Sequence, residues 1–147
     1  MSDSGRTTLD MDELAVPSAF ADHLGITVLE RRRGFCRLAC IAEPQHLNRS
    51  KVMHGGVLLA LIDHAGGLAD SWTQDGEEPR RSMTIDLNCR FTRPVAAGAR
   101  VIATARIASE GRSIYFASTE IHDEADTLVA FGSSTHKRHA DSRQAKD

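Results

Sequence analysis

Residues 54–72 read HGGVLLALIDHAGGLADSW. Leu58, Leu61, Ile62, Ala65, Leu68, Ala69 and Trp72 recur at helical spacing, which predicts a helix over 57–72 with one apolar stripe. Ala60, Asp63, Gly66, Gly67 and Asp70 fall on the side of the wheel away from Leu58. A helical glycine costs about 1 kcal/mol relative to alanine. Two adjacent ones beside an aspartate imply that a second backbone or a ligand approaches closely there. Leu59 and Ala60 make the same face too apolar for plain solvent.

On either side of this helix the pattern is extended. Residues 17–24 fit a short helix beginning at Pro17 or Ser18. Strands are expected over 26–31 and 35–42, turning at Arg33-Gly34. Residues 45–54 are irregular, and 73–81 form a polar loop. Over 83–91 the alternation is clean: Met83, Ile85, Leu87, Cys89 and Phe91 point one way, and Thr84, Asp86, Asn88 and Arg90 the other. Three further strands follow over 100–109, 113–122 and 127–135. Their connections, at Glu110-Gly111-Arg112 and over 123–126, are short enough for hairpins. One long helix against five or six antiparallel strands is an α+β arrangement, with the sheet wrapped around the helix.

The chain has 147 residues, 41% hydrophobic and 26% charged, which suits one soluble domain able to bury a core without disulfides or metal. No repeat or linker divides it. Residues 1–16 read as a disordered N-terminus, 17–137 as the domain and 138–147 as a charged disordered tail. The charged character begins at His136. A net charge of -2 offers no field for nucleic acid. No signal peptide or spanning segment is legible, and Cys36, Cys40 and Cys89 match no zinc spacing, so a cytoplasmic location is expected.

The chemistry concentrates at the long helix. His54-Gly55-Gly56 opens it, and the first amides of a helix lack internal partners and carry the positive end of its dipole. Such an amide can hold a carbonyl oxygen and stabilise the oxyanion formed on attack. Asp63 lies eight residues after Gly55, about 12 Å along the axis. One copy of the helix therefore cannot bring both groups to one carbonyl. Two roughly antiparallel copies across a two-fold axis can, which predicts two equal sites at a dimer interface.

Asn48, His54-Gly55-Gly56 and Asp63, together with Thr84-Ile85-Asp86-Leu87-Asn88, Phe91 and Arg93-Pro94, resemble the hotdog-fold thioesterases of the phenylacetic-acid degradation (PaaI-like) family. The resemblance covers about residues 24–137. It implies a hotdog fold, hydrolysis of acyl-CoA to acid and CoA, and a homotetramer built from two dimers. It implies no metal and no cofactor beyond the CoA of the substrate. Gly55 would supply the oxyanion-hole amide, and Asp63 would be general base or nucleophile. Asn48 would orient the nucleophile or water, and His54 would shape the helix entry. Thr84 aligns with a hydroxyl that positions water, with Ser82 as the alternative.

For the substrate, Gly56, Leu59, Gly66 and Gly67 would border the acyl group, leaving room for a medium-chain or aromatic one. Arg90, Arg93, Arg112 and the Arg31-Arg32-Arg33 run are candidates for CoA phosphates. Arg112 is placed best, in the hairpin Gly111-Arg112-Ser113. His64 points away from Asp63 and reads as structural. His136 and His139 have metal-like spacing but no third ligand. Ser50 lacks a nucleophile elbow. Two other readings remain: a hydratase or dehydratase on acyl thioesters, with His54 as partner to Asp63, and a non-catalytic acyl-CoA-binding module. Neither nucleic acid nor membrane is an expected partner.

Overall fold

The computed structural model describes residues 16–73 and 77–140. The expectations for 1–15 and for the tail beyond 140 lie outside the described residues. Ser18 caps the short helix α1 (Ala19–Leu24), accepting a hydrogen bond from Ala21 N, and Gly25 ends it in the left-handed conformation at φ 71°. Next come β1 (Thr27–Arg32), β2 (Phe35–Ile41) and a single 3-10 turn (Pro44–His46). The long helix α2 (Gly55–Ala69) precedes β3 (Ser82–Phe91), β4 (Arg100–Glu110), β5 (Ile114–Asp123) and β6 (Leu128–Arg138).

The six strands form one antiparallel sheet in the order β1-β2-β4-β5-β6-β3. Helix α2 packs against every strand. Its stripe of Leu58, Leu61, Ile62, Ala65 and Ala69 is buried against Leu38, Val101, Ala103, Ala105 and Ile121. Small alanines on β4 and β5 let the helix lie close to the sheet. This is the hotdog arrangement. Among the described residues no helix is long and apolar enough to cross a membrane.

Four expectations require correction. The helix begins at Gly55 rather than Val57 and ends at Ala69. Trp72 lies beyond it and is 38% exposed. Secondly, Gly66 and Asp70 do not share the open face of α2: both are buried toward the sheet. A side chain on Gly66 would collide with Ser134 Oγ and His136 Nε2 of β6. The open stripe is instead Leu59, Ala60, Asp63, His64 and Gly67, all half-buried.

Thirdly, the alternation over 83–91 is broken. The pairing of β3 with β6 slips between Thr84 and Asp86, a bulge at Ile85. Leu87 and Cys89 pack on the core as expected. Met83 and Ile85, expected beside them, are 54% and 52% exposed. Thr84, expected on the other face, turns toward the helix instead. Finally, β6 runs through His136 to Arg138, so residues 136–138, where the charged stretch begins, are strand. His136 is 1% exposed.

Candidate active site

At its N-terminus α2 is capped by His54, whose Nδ1 accepts the Gly56 amide at 2.8 Å. The entry is braced by His54 N donating to His46 O at 2.7 Å and Met53 N donating to Val95 O at 2.9 Å. Gly56 N is thereby taken, and Val57 N bonds His54 O at 2.9 Å. The Gly55 amide has no acceptor among the described residues. The Phe91 ring lies over Gly55: a Cβ built there would sit 3.1 Å from Phe91 Cζ. Phe91 itself is 55% exposed, so a group reaching this amide also meets an aromatic ring. Asn48 spends its Oδ1 on its own loop, accepting Ser50 N at 2.9 Å and Val52 N at 3.3 Å.

Two turns along α2, Thr84 Oγ1 donates to Asp63 Oδ1 at 2.6 Å. The bulge at Ile85 is what turns Thr84 inward. Thr84 Oγ1 also lies 3.4 Å from His136 Nδ1, and His136 Nε2 lies 2.8 Å from Ser134 Oγ. The single hydroxyl proton of Thr84 goes to Asp63, so the imidazole proton must sit on Nδ1, leaving Nε2 to accept from Ser134. Burial lowers the His136 pKa, against the raising effect of Asp63 and Asp70, a shift in the direction of the neutral ring that this tautomer requires. The result is a directed chain, Ser134 to His136 to Thr84 to Asp63.

Tyr115 holds this chain in place. Its ring stacks on His136 with centroids 4.9 Å apart, and its hydroxyl donates to Gly66 O at 3.1 Å. Burial raises its pKa well above the usual phenol range. Ser82 Oγ lies 3.2 Å from the same Tyr115 hydroxyl, so of the two β3 hydroxyls it is Thr84 that reaches Asp63. Asp70, one turn past Gly66, receives Arg138 through both oxygens at 2.8 and 2.9 Å. His64 also has its pKa lowered by burial, opposed by Asp63.

A cavity of about 330 Å³ opens at Asp63, lined by Thr84, His136, Gly67, Arg80 and Arg81 among others. The remaining expected residues lie elsewhere. Arg90 is on the outer face of the sheet, beside a separate cavity of about 790 Å³ with Asn88, Arg106 and Ser118. Gly111, Arg112 and Ser113 form the β4–β5 hairpin, strapped by Arg138 Nη1 to Gly111 O at 2.8 Å and by Arg138 N to Ser113 O at 2.7 Å. Leu59 and Gly67 are half-buried along the open stripe, and Gly56 is exposed. Within one chain Gly55 and Asp63 stay about 12 Å apart along the helix axis. Among the described residues no group of three His, Cys, Asp or Glu side chains could hold a metal ion.

Ser134, Tyr115 and Arg138 were missed from sequence, and His136 was weighed there only as a metal ligand. The signal was their parity: Ser134, His136 and Arg138 continue the inward alternation of β6 past the point where charge suggested a tail.

The family model of the thioesterase superfamily matches residues 50–130, more than half of the chain. The structure superposes on the PaaI protein of the Escherichia coli phenylacetic acid degradation operon with a TM-score of 0.76. The two are 27% identical, over 84% of this chain and 86% of that one. In sequence the chain is 29% identical to mouse acyl-coenzyme A thioesterase 13, over 63% of its own length and 65% of that protein, just under two thirds of it. It is 27% identical to the Salmonella typhimurium medium/long-chain acyl-CoA thioesterase YigI, over 77% of this chain and 81% of that one. A sheet wrapped on one helix, a helix-borne aspartate and a glycine amide at the helix start thus converge with these matches: the chain belongs to the thioesterase superfamily.

Proposed function

We propose that the chain hydrolyses acyl-CoA thioesters to free acid and CoA, at sites shared by two copies of the chain. The observation that carries this reading is the placement of Asp63 and the Gly55 amide. Each is prepared for catalysis, one by Thr84 and the other by lacking an acceptor, yet about 12 Å of helix separates them. An antiparallel neighbour closes that gap. Strand β3 is a ten-residue edge strand with Met83, Ile85 and Phe91 exposed, the kind of edge that pairs with another copy. The related acyl-CoA thioesterases support the reaction class.

In this mechanism Thr84 holds Asp63 Oδ1, and Oδ2 takes a proton from water. The water oxygen attacks the thioester carbonyl, whose oxygen becomes an oxyanion against Gly55 N–H of the neighbouring copy. Collapse breaks the C–S bond, and the departing thiolate takes the proton that Asp63 received. The His136–Ser134 chain fixes the Thr84 rotamer. A homotetramer of two such dimers, with no resident cofactor, completes the reading.

The test is a panel of acyl-CoA esters monitored for free thiol with wild type and Asp63→Asn. Thiol release by wild type and its loss in a folded Asp63→Asn protein is the expected result. Equal release by both removes Asp63 from the chemistry and overturns the mechanism.

A further inference from the structure

The wall of the Asp63 cavity is cationic. Arg80 and Arg81 line it, together with Val16, Leu68 and Ser71. Arg80 is fixed at its backbone, where its amide donates to Ser71 O at 3.1 Å. Its guanidinium Nη1 stands 4.0 Å from Asp70 Oδ1, too far for a hydrogen bond. Asp70 is already taken at both oxygens by Arg138, which also pairs with Glu110. Arg80 therefore keeps its donors, and among the described residues Arg81 makes no ion pair. Among the residues that line the cavity, Arg80 and Arg81 carry two positive charges and Asp63 one negative charge, so the lining holds one guanidinium charge more than carboxylate charge.

The distance from the reacting carboxylate sets what can use that charge. Asp70 follows Asp63 by seven residues on one helix, about 10 Å along the axis. A ligand anion beside Arg80 is thus kept two helical turns from the negative charge of Asp63. In one chain the cavity measures about 330 Å³, at the small end of ligand sites and enough for an acyl chain.

We propose that the cavity takes an acyl group whose far end carries a carboxylate, a dicarboxylyl thioester, with Arg80 as the recognising guanidinium and Arg81 in support. This rests on the acyl-CoA hydrolysis proposed above. It makes Arg80 a specificity residue: a planar fork receives a carboxylate through two parallel hydrogen bonds, which an uncharged acyl end cannot offer.

The experiment compares kcat/KM for adipoyl-CoA with hexanoyl-CoA, and suberoyl-CoA with octanoyl-CoA. Wild type is expected to favour the dicarboxylyl member of each pair. Because Arg80 is partly exposed, Arg80→Gln is expected to lower that preference about fivefold or more, with Arg80→Lys, which keeps the charge and loses the fork, falling between Arg80→Gln and wild type. Arg80→Gln/Arg81→Gln should lower it further. Wild type that treats the pairs alike or favours the uncharged member overturns the assignment. So does an Arg80→Gln loss that is equal within each pair, since the guanidinium would then serve CoA or the fold. Folded wild type that cleaves other esters of the acyl-CoA panel and none of these four overturns this inference alone, whereas folded wild type that releases thiol from no ester of the panel defeats the thioesterase reading and this inference with it.

Discussion

Thr84 and Asp63, 21 residues apart in sequence, are joined by a 2.6 Å hydrogen bond from the strand hydroxyl to the helix carboxylate. The bond exists because β3 carries an extra residue at Ile85, which reverses the parity of everything before it. A regular strand would send Thr84 to the outer face, beside Asp86 and Asn88. The bulge is therefore a part of the site.

The first prediction concerns this pair. Asp63→Asn is expected to lower kcat about 100- to 10,000-fold, the usual contribution of a general base. Thr84→Ala, which frees the carboxylate to rotate, should lower kcat about tenfold with little change in KM, a loss of about 1.4 kcal/mol. Thr84→Ser should restore most of it, because it returns the donor. Steady-state thiol release by the three variants, with circular dichroism to establish folding, decides the matter. A Thr84→Ala enzyme with unchanged kcat separates the hydroxyl from the reaction.

His136 leads to a pH dependence. Burial lowers its pKa in the folded chain, and that of His64 likewise. With pKa values depressed on folding, each group contributes stability that is whole above the unfolded histidine value, about 6.5, and is lost as pH falls toward the folded value. The melting temperature is therefore expected to drop between pH 7 and pH 5. In that window each histidine adds up to one proton to the slope, about 1.4 kcal/mol per pH unit. His136→Gln should flatten the curve. A variant whose slope matches wild type would show that His136 does not titrate on unfolding.

The two glycines of α2 differ in a way the helical wheel cannot show. Both looked like small residues on one open face. In the structure Gly66 meets Ser134 and His136, whereas the nearest atom to a Cβ on Gly67 is His136 Cε1 at 4.0 Å. Gly66→Ala is expected to destabilise the protein by about 1–3 kcal/mol through overpacking. Gly67→Ala should be neutral or stabilising by up to about 1 kcal/mol, from helix propensity. Urea denaturation of the two variants measures the contrast, and equal effects would contradict the packing described.

These cases mark what a sequence of this kind makes legible. The α2 stripe could be read because its period is local: Leu58, Leu61, Ile62 and Ala65 all face one core. The chemistry at Gly55 and Asp63 could be read because helix starts and helix-borne carboxylates have fixed geometry. What could not be read depended on partners distant in sequence. The bulge at Ile85 is visible only in the register with Thr135 and His136. Arg138, seemingly one charge among many in a tail, is instead the partner of buried Asp70, a pairing 68 residues long.

That pairing carries its own prediction. Asp70 has a side chain only 6% exposed, and Arg138 is its bidentate partner at 17%. Arg138→Gln leaves a carboxylate buried without its cation, which is expected to cost about 3 kcal/mol. Asp70→Asn/Arg138→Gln should recover much of that loss, since neither charge remains. Additive losses in this double-mutant cycle would deny the coupling between them.

The shared site can be tested by mixing defective chains. Proline at the first helical position removes only an N–H, and a helix tolerates it there. Gly55→Pro therefore deletes the oxyanion donor, with Phe91→Ala added in every chain because the Phe91 ring covers this residue. Asp63→Asn deletes the base. Each variant alone should be nearly inactive. Co-refolded in equal amounts, half of the dimers combine one chain of each kind. In such a dimer one site joins both lesions, and the other joins an intact Gly55 to an intact Asp63. About a quarter of the activity of the Phe91→Ala parent should return if the sites lie across the two-fold axis. If each site is built within one chain, every site in the mixture carries a lesion and nothing returns.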